Sequence, residues 1–180
     1  MGRTAFATGA ALAALAFASP AQASNKGWDD ASGIARDVLV GASLGVPLVQ
    51  GDWTGDLQAG ASLLVAGGAS YGLKEIFPET RPDGSDRKSF PSGHAALSFA
   101  AAATLENRYG WKAGLPAFAL ATFVGVARVE ARKHHWYDSV AGAAIGTASG
   151  FLITSKRNAS VRLVPWGDSS GGGVAMSWRF

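Results

Sequence analysis

The chain has 180 residues and no cysteine. That length holds one domain with a sizeable core rather than two ordinary ones, and the lack of thiols excludes disulfides, thiolate metal sites and a cysteine nucleophile. A formal charge of +3 and a pI of about 9.4 suit an anionic substrate or a membrane surface, but the basic residues form no stripe, which argues against nucleic acid as a partner.

Residues 1–23 read as a bacterial secretory signal peptide. MGR gives a positive start, TAFATGAALAALAFA a short apolar run, and SPAQA a small-x-small site for cleavage after Ala23. The expected location is therefore the periplasm. SNKGWDD (24–30) reads as a polar lead-in. Helices are predicted over about 31–50, 55–77, 92–108, 111–132 and 136–155. A charged, Pro-rich loop, PETRPDGSDRKSFP, fills 78–91, and its DGSDRK portion reads as a mobile cover over a site. The fold class is all-α: a compact helical bundle of about five core helices, rich enough in Ala and Gly for close packing. The apolar runs Val38–Gln50, Ala95–Leu105 and Ala113–Ala127 are shorter than the ~17–25 residues that cross a bilayer. Leu57–Leu73 and Ser139–Ser155 are borderline. With a mean hydropathy of +0.13, a soluble or peripherally attached bundle is expected ahead of an integral one. SVRLVPW and GVAMSWRF, flanking GDSSGG, predict a C-terminal β-hairpin, which must dock on something because a lone hairpin is marginal in water. The expected domains are 1–23, signal peptide; 24–160, helical domain; and 161–180, hairpin tail.

Three islands carry chemistry: Lys74-x6-Arg81-Pro82, Pro91-Ser92-Gly93-His94, and Arg128-x5-His134-x3-Asp138. Each falls at a predicted helix end, and in an antiparallel bundle all three reach the same end. Lys74, Arg81 and Arg128 supply three cations, and the planar fork of Arg matches phosphate oxygens. Ser92 and Gly93 lie where a helix starts, a natural anion site with free N–H groups and the positive end of the dipole. The expected ligand is a tetrahedral oxyanion, most simply phosphate. A nucleophilic His needs its second ring nitrogen held by an acceptor. On a helix, i+4 from His134 is Asp138, whereas i+4 from His135 is Ser139. That spacing selects His134 as nucleophile and Asp138 as its orienter. It leaves His94 as general acid and His135 as a neighbour.

In this order the islands resemble the three signature motifs of the type 2 phosphatidic acid phosphatase and vanadium haloperoxidase superfamily. The motifs cover about 74–138, and the surrounding helices, roughly 31–155, fit that family's core. The resemblance implies a phosphatase that needs no metal or other cofactor and forms a phosphohistidine. In it His134 attacks phosphorus, Asp138 orients it, and His94 protonates the leaving oxygen. Lys74, Arg81, Ser92, Gly93 and Arg128 hold the phosphoryl group. The expected partner is a phosphate ester, either a soluble phosphomonoester or a lipid phosphate or isoprenyl pyrophosphate, met at a membrane surface in the lipid case. One departure is Ala127, where the family usually has Ser before the Arg. Two alternatives stand beside this expectation: a silent phosphate- or phospholipid-binding envelope protein, and a vanadate-dependent haloperoxidase, disfavoured by the short chain.

Overall fold

The computed structural model describes residues 24–157 and 161–178. The proposed signal peptide lies outside them. Five helices follow one another: α1 (Asn25–Val49), α2 (Trp53–Ile76), α3 (Gly93–Tyr109), α4 (Trp111–Glu130) and α5 (Trp136–Ile153). A hairpin of β1 (Val161–Asp168) and β2 (Gly171–Trp178) ends the chain. The fold is all-α with a short hairpin, as the sequence predicts.

The main boundary difference is at the start. SNKGWDD is no lead-in but the first turns of α1. Ser24 caps the helix by accepting from Gly27 N–H at 3.1 Å, and Lys26 pairs with Asp30 one turn on. Local capping turns a polar stretch into helix that its composition alone does not announce.

Helix α3 is the axis of the bundle and touches the other four helices. Ala95, Ala96, Ala100, Ala101, Ala102 and Ala103 are wholly buried, so small side chains face neighbours on every side. Its closest neighbour is α5. A Cβ on Gly142, Gly146 or Gly150 would lie 2.3 Å from Ser92 O, 2.1 Å from Ala96 O or 2.4 Å from Ala103 Cβ. Glycines spaced four apart thus form a groove into which the α3 backbone fits.

The bundle is up-and-down. One end gathers the start of α1, the end of α2, the start of α3, the end of α4 and the start of α5, joined by contacts such as Ser92 N–H to Asp138 O at 3.0 Å. The opposite end is tied by buried Arg108, which pairs bidentately with Asp52 and donates to Gln58 at 3.2 Å and to the Ser155 carbonyl at 2.8 Å.

The outer surface is apolar. Ile34, Val38, Leu57, Leu64, Leu115 and Leu152 are among the exposed large hydrophobics. Helices α1 and α4 are long and apolar enough to cross a membrane, and only 28% and 33% of their most apolar stretches are buried. The short runs counted between charges understate the helices, because charges at helix ends lie within the helical span. In the hairpin, Asp168 Oδ1 accepts from Ser170 N–H at 2.8 Å and Gly171 N–H at 3.1 Å, which closes the two-residue turn. Strand β1 touches α2, while Trp166, Val174 and Met176 are exposed.

Candidate active site

The three islands meet at the first end of the bundle. Lys74, in the last turn of α2, donates Nζ to the carbonyls of Pro91 at 2.5 Å, Lys88 at 2.8 Å and Ser89 at 3.4 Å. It thereby seats the 78–91 loop at the entrance to α3. Arg81 donates Nε to Asp86 at 2.7 Å and Nη1 to the Lys133 carbonyl at 3.1 Å. Asp83 pairs with Lys133 at 2.7 Å, and that hydrogen bond holds its carboxyl well below the usual range. The DGSDRK stretch is therefore anchored to its own loop and to the α4–α5 turn, not a free cover as the sequence suggests. Its Lys88 ammonium faces Glu75 at 3.7 Å. Ser92 caps α3, its hydroxyl accepting from Ala95 N–H at 3.4 Å, and Gly93 opens the helix.

His134 is buried, with 3% of its side chain exposed. It does not stand on a helix: His135 is the cap of α5, so His134 precedes it and the helical i+4 relation to Asp138 does not hold. The nearest acceptor to its Nδ1 is the Ser89 carbonyl at 2.7 Å, with Asp138 Oδ2 at 3.6 Å. His135 Nδ1 is nearer that carboxylate, at 3.4 Å. What separates the two neighbours is burial and the Ser89 carbonyl. His135 is a third exposed and stacks on Tyr137 with centroids 5.1 Å apart. Asp138 is wholly buried and acts through two other bonds. It accepts from Ser89 Oγ at 2.6 Å and from His135 N–H at 2.8 Å. Burial keeps His134 below the ordinary histidine pKa, against the upward pull of Asp138, and Arg128, Arg81 and Lys74 push the same way as burial.

Helix α1 enters the site, which the sequence reading missed. Asp29, Ser32 and Arg36 recur at i, i+3 and i+7, so they share its inner face. Asp29 pairs with Arg128 Nη1, which also donates to Ser32 Oγ at 3.2 Å. Arg36 Nη1 lies 3.0 Å from His94 Nε2. The signal was present as a polar stripe in DDASGIAR. Ser89 left no comparable signal, because its key group is a backbone carbonyl. Among the described residues, Arg128 Nε and Asp138 Oδ1 are buried without a hydrogen-bond partner. Ala127 is fully buried. Glu79, His135 and Asp138 bring one ligand atom each within 4.8 Å of one another, a grouping whose oxygens already accept from Tyr137, Ser89 and the His135 backbone.

One end of the helical bundle thus gathers His94, the buried His134, three cations and a capped helix start. The sequence matches the PAP2 superfamily over residues 56–162, more than half of the chain, and the protein belongs to that superfamily. It is 34% identical over 122 residues to a lipid A 4'-phosphatase of Helicobacter pylori, covering 62% of each chain. It is 33% identical over 93 residues to a lipid A 1-phosphatase of Porphyromonas gingivalis, covering 50% of this chain and 21% of that one. The chain thus spans less than two thirds of the length of these curated relatives. Its fold is similar to that of Aquifex aeolicus LpxE, with a TM-score of 0.61 at 20% identity over 71% of this chain and 83% of that one. It is also similar to the PAP2 type phosphatidylglycerolphosphate phosphatase of Bacillus subtilis, with a TM-score of 0.52 at 22% identity over 79% of each chain.

Proposed function

We propose that the protein is a metal-independent phosphatase of lipid-linked phosphate esters that works through a phosphohistidine. The observation that carries this reading is the bond from His134 Nδ1–H to the Ser89 carbonyl. It fixes the tautomer, so Nε2 of the neutral ring holds the lone pair a nucleophile needs. His134 Nε2 bonds to phosphorus as the bond to the leaving oxygen breaks. His94, once its Nε2 carries a proton, gives it to a leaving alkoxide. Lys74, Arg81, Arg128 and the N–H groups at the start of α3, with Ser92 and Gly93, meet the charge on the phosphoryl oxygens. The unpartnered Arg128 Nε is a ready donor for one of them. Asp138 positions the loop through Ser89 and the turn through His135. Water then takes the phosphoryl group from His134 and restores the ring.

The lipid part of the proposal rests on the exposed apolar flanks and on the lipid A phosphatases among the relatives. The helices of 24–160 carry catalysis, the site faces the periplasm, and the hairpin is an appendage. A silent phosphate-binding protein is the competing reading.

The test is phosphate release by the full chain in detergent with EDTA, from a long-chain lipid phosphate and a small aryl phosphate. The lipid substrate is expected to be preferred. His134→Ala should lose at least about a thousandfold, while His135→Ala stays within about tenfold. Release restored only by a divalent ion would move the chemistry to the Glu79–His135–Asp138 grouping. No release from folded protein would leave the binding reading.

A further inference from the structure

The end of the bundle opposite His134 carries a cavity of about 450 Å³ that neither the motifs nor the mechanism use. Glu106, Asn107 and Tyr109 from the end of α3, Trp111 from the start of α4, and Lys156 and Arg157 after α5 line it. Most of these groups are committed. Asn107 Nδ2 donates to the Thr154 carbonyl at 2.7 Å, Tyr109 donates to Asp52 at 3.1 Å, and Arg157 donates to Gln50. The bond from Arg157 N–H to the Arg108 carbonyl, at 3.2 Å, joins the chain after α5 to the end of α3. Glu106 and Lys156 differ. They bring opposite charges to one cavity, yet among the described residues neither makes an ion pair or a hydrogen bond. The stem of Glu106 is fixed, because it fills the space over Gly114, where an added Cβ would lie 2.2 Å from Glu106 Cγ. A carboxylate and an ammonium that share a cavity without pairing offer two poles to one ligand, and the complement of two poles is a zwitterion. The rim is apolar. Trp111 and Leu115, one turn apart on the same face of α4, are exposed, and so is Leu152, ahead of Lys156. An indole at such a rim offers an apolar body to hydrocarbon and an N–H to the polar layer.

We propose that this cavity holds the headgroup of a zwitterionic phospholipid, a phosphate diester joined to a primary ammonium, bound as a resident lipid and not as substrate. Lys156 meets the phosphate, with Arg157 adding charge, and Glu106 accepts from the ammonium. The acyl chains lie against Trp111, Leu115 and Leu152. A headgroup without the ammonium leaves Glu106 facing the phosphate's like charge, and a soluble zwitterion leaves the apolar rim unused. No histidine lines the cavity, so nothing there repeats the chemistry proposed for His134. The inference goes beyond the phosphatase reading and does not depend on it.

The experiment is native mass spectrometry of the full chain in detergent, titrated with phosphatidylethanolamine and with phosphatidylglycerol of the same acyl chains. One phosphatidylethanolamine should bind roughly tenfold more tightly than phosphatidylglycerol, the scale of a charged hydrogen bond. Glu106→Gln keeps the packing on Gly114 and should erase that preference. Lys156→Gln should weaken both lipids by about threefold or more. Free phosphoethanolamine, equimolar with the lipid, should not displace it. Equal affinity for the two lipids, a preference that survives Glu106→Gln, unchanged binding in Lys156→Gln, or displacement by the free headgroup would each overturn the proposal. A preference that survives Glu106→Gln would place the lipid elsewhere on the chain. Phosphate release plays no part in the readout, so failure here leaves the phosphatase reading intact.

Discussion

At the scale of single residues, the site turns on which atom holds His134. The motif residues were legible in the sequence because side-chain chemistry at fixed spacing survives without coordinates. The holder was not, because a carbonyl belongs to every residue and only the seating of the 78–91 loop selects the one from Ser89. Spacing alone named Asp138, and the start of α5 at Trp136 removed the helical premise behind that choice. The Asp29–Ser32–Arg36 stripe was legible in principle but looked like ordinary solvent-facing charge. The His134 environment has a consequence for pH. In the proposed mechanism the neutral ring is the nucleophile, and burial lowers its pKa below the ordinary 6.5. Lowering keeps the ring neutral further into acid, so the acid limb of kcat/KM should fall below pH 6.5 once the substrate's own ionisation is divided out. A limb at or above that value would mean that a different group, or a solvated His134, sets the rate.

At the scale of elements, the contact between α3 and α5 decides the geometry of the site. The sequence showed Ala and Gly in abundance, but which glycines face which helix depends on the packing. Gly142 lies against Ser92, and Gly150 lies against Ala100 and Ala103 near the opposite end. An added methyl at either position meets backbone, which cannot swing aside. Gly142→Ala and Gly150→Ala should each destabilise by about 1–3 kcal/mol. Their effects on activity should differ. Gly142→Ala pushes α5 away from the capped start of α3 and should cost roughly tenfold or more in kcat, since displacements on the order of 1 Å can cost up to about a hundredfold. Gly150→Ala should leave kcat within about threefold at temperatures where it is folded. Thermal melts alongside initial rates separate the two. The opposite end, pinned by Arg108 and Asp52, was invisible in sequence because its partners lie 56 positions apart.

At the scale of the whole molecule, the sequence correctly indicated a five-helix bundle but understated how apolar its flanks are. Composition averaged the polar ends with the apolar flanks. The structure separates them: Trp53 and Trp111 are exposed at one end, Trp136 and Tyr137 at the other, with exposed Leu, Ile and Val between. Aromatic residues at both ends of an apolar belt fit the proposed lipid substrate, because such belts are favoured at membrane interfaces. The full chain should sediment with membranes and stay there through a high-pH carbonate wash. Release by the wash would restore the peripheral attachment that the short apolar runs suggest.

The glycine groove of α5 also divides the candidate site by stiffness. The Ser92–His94 cradle opens α3 and His134 sits just before α5, two helices in backbone contact, so they are expected to move as one body. Helix α1 has no such lock: side chains added at Gly33, Gly41 or Gly45 would meet nothing within 4 Å. Any opening that admits a long-chain substrate is therefore expected at α1, and its rocking would carry Asp29 and Arg36 together. Admission of substrate and rearrangement of the charges around Arg128 and His94 then become a single motion.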